Sequence, residues 1–160
     1  MTRTPVLYLM VGGIASGKTT IGRLLSLGSR LADPEIYTSI PIFTTICPDD
    51  IREELSGNAA DQSVNADAWA IAYVRLEAAM ETKNDVIFDA AYMVKQKTRR
   101  IMNGYAKKYG YRIVYIVIPV DLNDALAANA NRKRRVPEDV VRRYHDNFKQ
   151  AFPFVENDRK

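Results

Sequence analysis

Short apolar runs of strand length alternate along the chain with longer segments whose apolar residues recur at helical spacing. Residues 6–11 form a continuous apolar run that ends at two glycines, which predicts a buried parallel strand. Residues 42–47, 86–88 and 112–118 are further β-branched or apolar runs and predict three more strands. Because strands and helices alternate, we expect an α/β fold with a mainly parallel sheet of about four strands and helices on both faces.

The segments between these runs predict amphipathic helices with recognisable ends. Asp50 followed by Glu53 resembles a capping box, which predicts a short helix running to about Gly57. Ser63 and Asp121 are expected to cap two later helices. The other predicted helices cover residues 19–31, residues 95–109 with Gly110 as the stop, and residues 137–151 with a proline at the start.

Length and composition limit the class of protein. The chain has 160 residues, which suits one domain, and no repeat or linker divides residues 1–160. The one cysteine, Cys47, excludes an internal disulfide bond and a cysteine-rich metal site, and we expect it to be a small core residue. No apolar run approaches the ~20 residues that a membrane span needs, and the first run is too short for a signal peptide. We therefore expect a cytoplasmic protein with no membrane partner.

Basic residues are concentrated in the second half of the chain. The net charge is only +4, from 23 Lys and Arg against 19 Asp and Glu. Residues 91–115 nevertheless contain seven basic residues and no acidic one, and residues 132–143 contain six basic residues and two acidic ones. Such a region suits an anionic ligand, although two solvated helix faces would give the same pattern.

A glycine-rich motif follows the first predicted strand and opens the first predicted helix. Its residues, GGIASGKT, match the pattern GxxxxGK[ST], which in this context predicts a phosphate-binding loop. Gly12 and Gly17 let the backbone curl around a phosphate, and the helix N-terminus favours negative charge. Lys18 would neutralise the β- and γ-phosphates of a nucleoside triphosphate, and the Thr19 hydroxyl would ligate magnesium.

Three charged residues are expected near this loop, beyond the carboxyl ends of the second and third strands. A carboxylate at Asp49 could take the proton of an attacking hydroxyl. Arg52, three residues on, could hold a phosphate of the acceptor. Asp89 could reach magnesium through water or orient Arg52. The structural alternatives are a cap or surface acid for Asp49, an exposed arginine for Arg52 and a turn residue for Asp89.

The basic stretch at about residues 131–137 lies between the last two predicted helices, where many small kinases have a lid. Arg132 could stabilise charge on a transferred phosphoryl group there, or it could belong to a basic connector. His145, the only histidine, is expected at the surface or its boundary. Trp69 and Tyr73 share a helical spacing that favours the core over a base-stacking platform.

The phosphate-binding loop alone does not distinguish GTPases, ATPase motors and small kinases. The chain contains no NKxD motif of the kind with which GTPases read the base. An ATPase motor usually needs partner subunits and a longer chain. A small kinase needs an acid near the acceptor and an arginine lid, and this chain offers candidates for both.

Taken in chain order, these segments resemble a known family. The segments are GGIASGKT, ICPDDIREELSG, VIFDA, AKKYGY and IVYIVIPVDLNDALAANANRKRRVPEDVVRRYHDNF. They resemble the kinase module of phage and bacterial polynucleotide 5′-hydroxyl kinases, within the P-loop kinase group that includes zeta-toxin-like enzymes. The resemblance runs from about residue 6 to about residue 152. It implies a three-layer P-loop kinase fold with an arginine lid.

The resemblance also implies an activity, which is transfer of the γ-phosphate of ATP to the 5′-hydroxyl of a DNA or RNA end. Asp49 would be the general base, and Arg52 would contact the neighbouring phosphate of the acceptor. Asp89 would support the acceptor site, and Arg132 would be the lid arginine. The location would be a bacterial or phage-infected cytosol. The residues that hold ATP and magnesium would be Gly12, Gly17, Lys18 and Thr19.

Two departures from the family pattern bear on the substrate. The family often follows the aspartate of strand three with Thr-Asn, whereas Asp89 is followed here by Ala90 and Ala91. A basic residue often stands four positions before the lid arginine, where this chain has Ala128. Two alternatives therefore stay open. One is a kinase of another hydroxyl, on a nucleoside, a sugar, a nucleotide sugar or a hydroxymethylated base in DNA. The other is a nucleotide-binding protein without transfer activity.

Overall fold

The computed structural model describes residues 3–31 and 43–152. Within those residues, four strands alternate with six α-helices, and a 3₁₀-helix (Ala91–Val94) follows the third strand. The strands are β1 (Val6–Val11), β2 (Phe43–Ile46), β3 (Asp85–Asp89) and β4 (Arg112–Val117). The helices are α1 (Lys18–Leu31), α2 (Pro48–Ser56), α3 (Asn65–Glu81), α4 (Gln96–Tyr109), α5 (Leu122–Ala130) and α6 (Glu138–Ala151).

The four strands form one parallel sheet in the order β2-β3-β1-β4. This confirms the predicted α/β fold with a parallel sheet of about four strands. The register pairs Met10 with Asp89 and Ile46 with Phe88. The carboxyl ends of β1, β2 and β3 therefore lie along one edge, which is where ligands bind in open α/β sheets.

The predicted strand bounds hold to within one or two residues. Ile42, the first residue of the predicted second strand, lies outside the described residues. The predicted fourth strand ends at Ile118, one residue beyond the end of β4. Its N–H still donates to the carbonyl of Val11 over 2.8 Å.

Two of the predicted helix caps are wrong, and two are confirmed. Helix α2 begins before Asp50, because a proline at its first position already has a helical φ. The Ser63 hydroxyl bonds to the Asp61 carboxylate over 2.6 Å and caps no helix. Asp121 does cap α5, with its carboxylate accepting from the N–H of Asn123 over 2.8 Å. Gly110 ends α4 in the left-handed conformation, as predicted.

The hydrophobic core cluster takes alternate residues of the two central strands and so packs on one face of the sheet, and β3 is buried along its whole length. Trp69 and Tyr73 are half-buried against this core. Asp85 is fully buried, where it accepts a hydrogen bond from the N–H of Val6 over 2.9 Å and pairs with Arg3. This carboxylate therefore anchors the start of β1.

The prediction that His145 lies at the surface or its boundary is wrong. Only 6% of the residue is exposed, because the backbone of α6 packs against the glycine-rich loop. A Cβ placed on Gly13 would be 3.8 Å from the Cα of His145. Among the described helices, none is both long and apolar enough to cross a bilayer.

Candidate active site

The glycine-rich loop of residues 12–17 joins β1 to α1 and is tightly curled. A Cβ on Gly12 would lie 2.5 Å from the Ser16 hydroxyl oxygen and 2.9 Å from the carbonyl oxygen of Ile118. No side chain fits at that position. Gly17 has a φ of +87°, which favours glycine. A loop of this shape at the N-terminus of a helix is an anion-binding geometry.

Lys18, the first residue of α1, is buried within this loop. Its ammonium donates to the carbonyl oxygens of Gly12, at 3.0 Å, and of Gly13, and it contacts the Ser16 hydroxyl at 3.3 Å. Burial lowers the pKa of Lys18 to about 8, although the nearby Asp89 carboxylate opposes that shift. A negatively charged phosphate at the loop would further favour the protonated form.

Thr19 and Asp89 bring two oxygen ligands together beside the loop. The Thr19 hydroxyl donates to the Asp89 carboxylate over 2.6 Å. Burial raises the pKa of Asp89, and the hydrogen bond from Thr19 and the charge of Lys18 counteract part of that rise. No cluster of three or more His, Cys, Asp or Glu side chains stands ready for a metal among residues 3–31 and 43–152. Magnesium beside a nucleotide usually needs only one or two protein oxygens plus phosphates and water, so this pair fits it.

Asp49 lies in the first turn of α2, just beyond β2, and its side chain is 54% exposed. Arg52, one turn later, is only 5% exposed. Its guanidinium donates to the Asp49 carboxylate, to the carbonyl of Ala59 over 2.9 Å and to the side chain of Asn65 over 2.8 Å. Arg52 therefore ties the carboxylate of Asp49 to the loop before α3 and to α3 itself.

The segment between α5 and α6 covers the same edge of the sheet. Asn129 closes this segment, since its side chain donates to the carbonyl of Val136 over 2.8 Å and accepts from its N–H over 3.0 Å. Arg132 is exposed, and its charge contributes to the lowered pKa of Lys18. Arg134 reaches across to the Asp49 carboxylate at 3.4 Å.

These elements surround one cleft of about 740 Å³. All the charged candidates taken from the sequence line it: Lys18, Asp49, Arg52, Asp89 and Arg132. Cys47 also lines it, but burial raises the pKa of its thiol to about 12, so the thiol is neutral. Four residues of this region were not predicted as site residues from the sequence: Asn129, Arg134, Tyr92 and Tyr144. A signal for Tyr92 was present, since it stands three residues after Asp89.

Solved structures with the same fold include an ATP complex and an RNA repair assembly. One chain of the Pnkp1/Rnl/Hen1 RNA repair complex superposes with a TM-score of 0.77 at 15% identity, covering 96% of this chain and 47% of that chain. The complex of AvrRxo1-ORF1 and AvrRxo1-ORF2 with ATP gives 0.66 at 18% identity, with 96% and 50% covered. A putative kinase from Chloroflexus aurantiacus J-10-fl gives 0.61 at 19% identity, with 80% and 66% covered.

The chain spans about half the length of the first two of these structures. At such identities the likeness shows the fold alone, which is that of P-loop kinases. No curated protein matches the sequence. Residues 7–154 match the family AAA_33, described as an AAA domain, and this match covers most of the chain. The curled loop, the parallel sheet and this match agree, and the chain belongs to the AAA_33 family with a P-loop kinase fold.

Proposed function

We propose that residues 1–160 act as one kinase domain that transfers the γ-phosphate of ATP to the 5′-hydroxyl of a nucleic-acid end. The observation that carries this proposal is the position of Asp49. Its half-exposed carboxylate is held by the buried Arg52, in the same cleft as Lys18 and Thr19. A loop that binds phosphate and a carboxylate that accepts a proton are the two parts that such a transfer needs. The likeness in fold to a chain of an RNA repair complex supports a nucleic-acid acceptor.

ATP would bind with its β- and γ-phosphates on the loop between Gly12 and Gly17. Lys18 would contact these phosphates in place of its present carbonyl partners. Thr19 and Asp89 would hold magnesium, directly or through water. When bound, the metal supplies charge neutralisation on the phosphates.

In the transfer step, the Asp49 carboxylate accepts the proton of the acceptor hydroxyl. The oxygen of that hydroxyl forms a bond to the γ-phosphorus, the bond to the β,γ-bridging oxygen breaks, and ADP leaves. Lys18 and Arg132 stabilise the negative charge on the transferring group. Asp49 then gives its proton to water. The proposal implies a bacterial or phage-infected cytosol as the location, where ATP and nucleic-acid ends are available.

A specific observation keeps a smaller acceptor as the second candidate. Two basic residues of α4 already have partners within the protein. Arg99 donates to the carbonyls of Met93 and Val94, over 2.9 and 2.7 Å, and Lys108 pairs with Glu77 at 3.0 Å. Fewer cations of this helix are then free to follow a phosphate backbone. A nucleoside, a sugar, a nucleotide sugar or a hydroxymethylated base would need fewer such contacts.

The testing experiment measures transfer of labelled γ-phosphate from ATP to a panel of acceptors. The panel contains 5′-hydroxyl DNA and RNA oligonucleotides, nucleosides, sugars, nucleotide sugars and DNA with hydroxymethylated bases. We expect label on the oligonucleotides, with a steep fall in their affinity as salt rises, because several phosphates are contacted. Label on a small acceptor only, with little salt dependence, would favour the second candidate. Bound ATP without label on any acceptor would favour a nucleotide-binding protein that transfers nothing.

A further inference from the structure

Three aromatic side chains form one wall of the cleft. Tyr92 lies between the other two, with its ring centroid 5.6 Å from that of Trp69 and 6.0 Å from that of Tyr144. Both contacts are edge-on, at interplanar angles of 72°. Trp69 packs in turn on the core residue Phe88, with centroids 6.0 Å apart. We call Trp69, Tyr92 and Tyr144 the aromatic wall.

The aromatic wall lines the same cleft as Asp49. Tyr92 belongs to the 3₁₀-helix just after β3, which lies between β2, the strand that leads to Asp49, and β1, the strand that leads to the glycine-rich loop. Trp69 is on α3, the helix whose Asn65 binds Arg52. The triphosphate, by contrast, would occupy the loop at the end of β1. An acceptor that offers its hydroxyl to Asp49 would therefore share one cleft with the wall.

Tyr92 is the exposed member of the wall, whereas Trp69 is half-buried and Tyr144 is buried, and positive charge lies beside them. Tyr92 is 37% exposed. The two residues between it and Asp89 in the chain, Ala90 and Ala91, have only methyl side chains. The Lys95 ammonium is 4.2 Å from the centroid of the Tyr92 ring, and Arg143 lines the same cleft. Aromatic faces with cations beside them are the combination that holds single-stranded nucleic acid.

We propose that the aromatic wall stacks a nucleobase of the phosphoryl acceptor, and that this acceptor is a base-bearing molecule. The inference rests on the proposed function and deepens it. Where the resembled family often has polar side chains after the aspartate of strand three, this chain would hold the acceptor by stacking on Tyr92 and Trp69. A stacked base keeps the adjoining sugar hydroxyl near Asp49. Stacking is tolerant of base identity, since every base has a π-face. The shared chemistry is the nucleobase, which a nucleic-acid end or a free nucleoside would supply.

The test compares acceptors that differ only in the terminal base. The three acceptors are a 5′-hydroxyl oligonucleotide, the same oligonucleotide with an abasic 5′-terminal sugar, and a free nucleoside. Phosphate transfer gives kcat/KM for each. The emission of Trp69, the only tryptophan in the chain, gives binding without any reaction. We expect at least about a tenfold preference for the base-bearing end, with quenching of Trp69 by that end and not by the abasic one.

Substitutions of Tyr92 test whether the aromatic wall causes the preference for a base-bearing acceptor. Tyr92→Ala should raise the KM for the base-bearing acceptor about tenfold and remove most of the preference, while the KM for ATP stays unchanged. Tyr92→Phe retains the ring and should retain the preference. Tyr115→Ala is the matched control, because Tyr115 is a similarly exposed tyrosine on β4 that does not line the cleft. If Tyr92→Ala does not fold, the comparison of the two oligonucleotides on the wild-type protein still decides.

The outcomes separate this inference from the proposed function. Equal rates for base-bearing and abasic ends overturn the inference and leave the end kinase standing. Label and quenching with the nucleoside, but not with the oligonucleotide, support the inference and overturn the end kinase. If ATP quenches Trp69 and no acceptor does, the wall binds the phosphate donor, and the inference is overturned. If no base-bearing acceptor binds or becomes labelled, that result counts against both the inference and the proposed function.

Discussion

The Thr19 hydroxyl donates a hydrogen bond of 2.6 Å to the Asp89 carboxylate. This bond joins the first turn of α1 to the last residue of β3, across two strands that are neighbours in the sheet. The pairing of Met10 with Asp89 places the carboxylate level with the end of β1. The relationship between the two residues is therefore built by strand register, and it brings together the two oxygens proposed to hold magnesium.

Replacing Asp89 by asparagine tests that role. The amide side chain has nearly the same shape as the carboxylate but no charge. We therefore expect the magnesium concentration for half-maximal turnover to rise at least about tenfold, as is usual when an outer ligand is lost. The measurement is a magnesium titration of phosphate transfer. Asp124→Asn, an exposed change in α5, is the control and should leave the titration unchanged. An unaltered magnesium requirement in Asp89→Asn would remove Asp89 from the metal site.

Arg52 gives a prediction about stability as well as turnover. Lysine at this position cannot reproduce three hydrogen bonds from one planar guanidinium. We expect Arg52→Lys to lower the free energy of unfolding by about 1–3 kcal/mol, because part-buried acceptors lose hydrogen bonds from a charged donor, and to lower kcat through loss of the hold on Asp49. Urea unfolding checks the first effect. Arg75→Lys is the control, because the pair of Arg75 with Glu54 is exposed to solvent and should change stability little.

The lowered pKa of Lys18 predicts a pH dependence of ATP binding. Lysine is charged below its pKa, so the positive charge is present at neutral pH and is lost as the pH rises through about 8. We expect the affinity for ATP with magnesium to fall about tenfold between about pH 7 and about pH 9, because the bound phosphates raise the pKa of Lys18 and the complex therefore holds a proton that the free protein loses. Equilibrium binding at a series of pH values measures this.

Lys18→Arg is the control for this titration, since its guanidinium stays charged over the whole range. The variant is expected to bind ATP more weakly at every pH, but without a fall near pH 8. A fall of the same size in both proteins would mean that a group other than Lys18 titrates.

Arg132 and Arg134, two of the three arginines between α5 and α6, are expected to differ in their effect on turnover. Arg132 is proposed to stabilise the transferring phosphoryl group, so Arg132→Ala should lower kcat about a hundredfold or more with little change in the Kd for ATP. Arg134 contacts the exposed Asp49 carboxylate at 3.4 Å, and Arg134→Ala should have a smaller effect, about tenfold or less. Single-turnover transfer and ATP binding on both variants check this. The reverse order of effects would make Arg134 the lid arginine.

The elements that the sequence predicted well depend on local patterns. The glycine-rich loop, β1 and the stop at Gly110 each follow from a few consecutive residues. Caps were less reliable, because several residues compete for one helix start. Asp50 was a plausible cap by itself, yet the proline two positions earlier already starts the helix.

The features that the sequence did not predict depend on partners that are distant in the chain. Arg52 looked like an exposed helix arginine or a phosphate ligand, and its burial follows from acceptors on the next loop and helix. Arg134 meets Asp49, 85 positions away. His145 is buried because α6 returns to the glycine-rich loop. A pattern of single positions contains no information about which surfaces meet.

The most direct test of the proposed mechanism is single-turnover transfer of γ-labelled phosphate to a 5′-hydroxyl oligonucleotide by the Asp49→Asn variant. Asparagine cannot accept the hydroxyl proton, so the rate should fall at least about a hundredfold while ATP binding is retained. Asp50→Asn, at the adjacent exposed carboxylate that does not line the cleft, should remain close to wild type. Wild-type turnover in Asp49→Asn, or an equal loss in Asp50→Asn, would contradict the assignment of Asp49 as the general base.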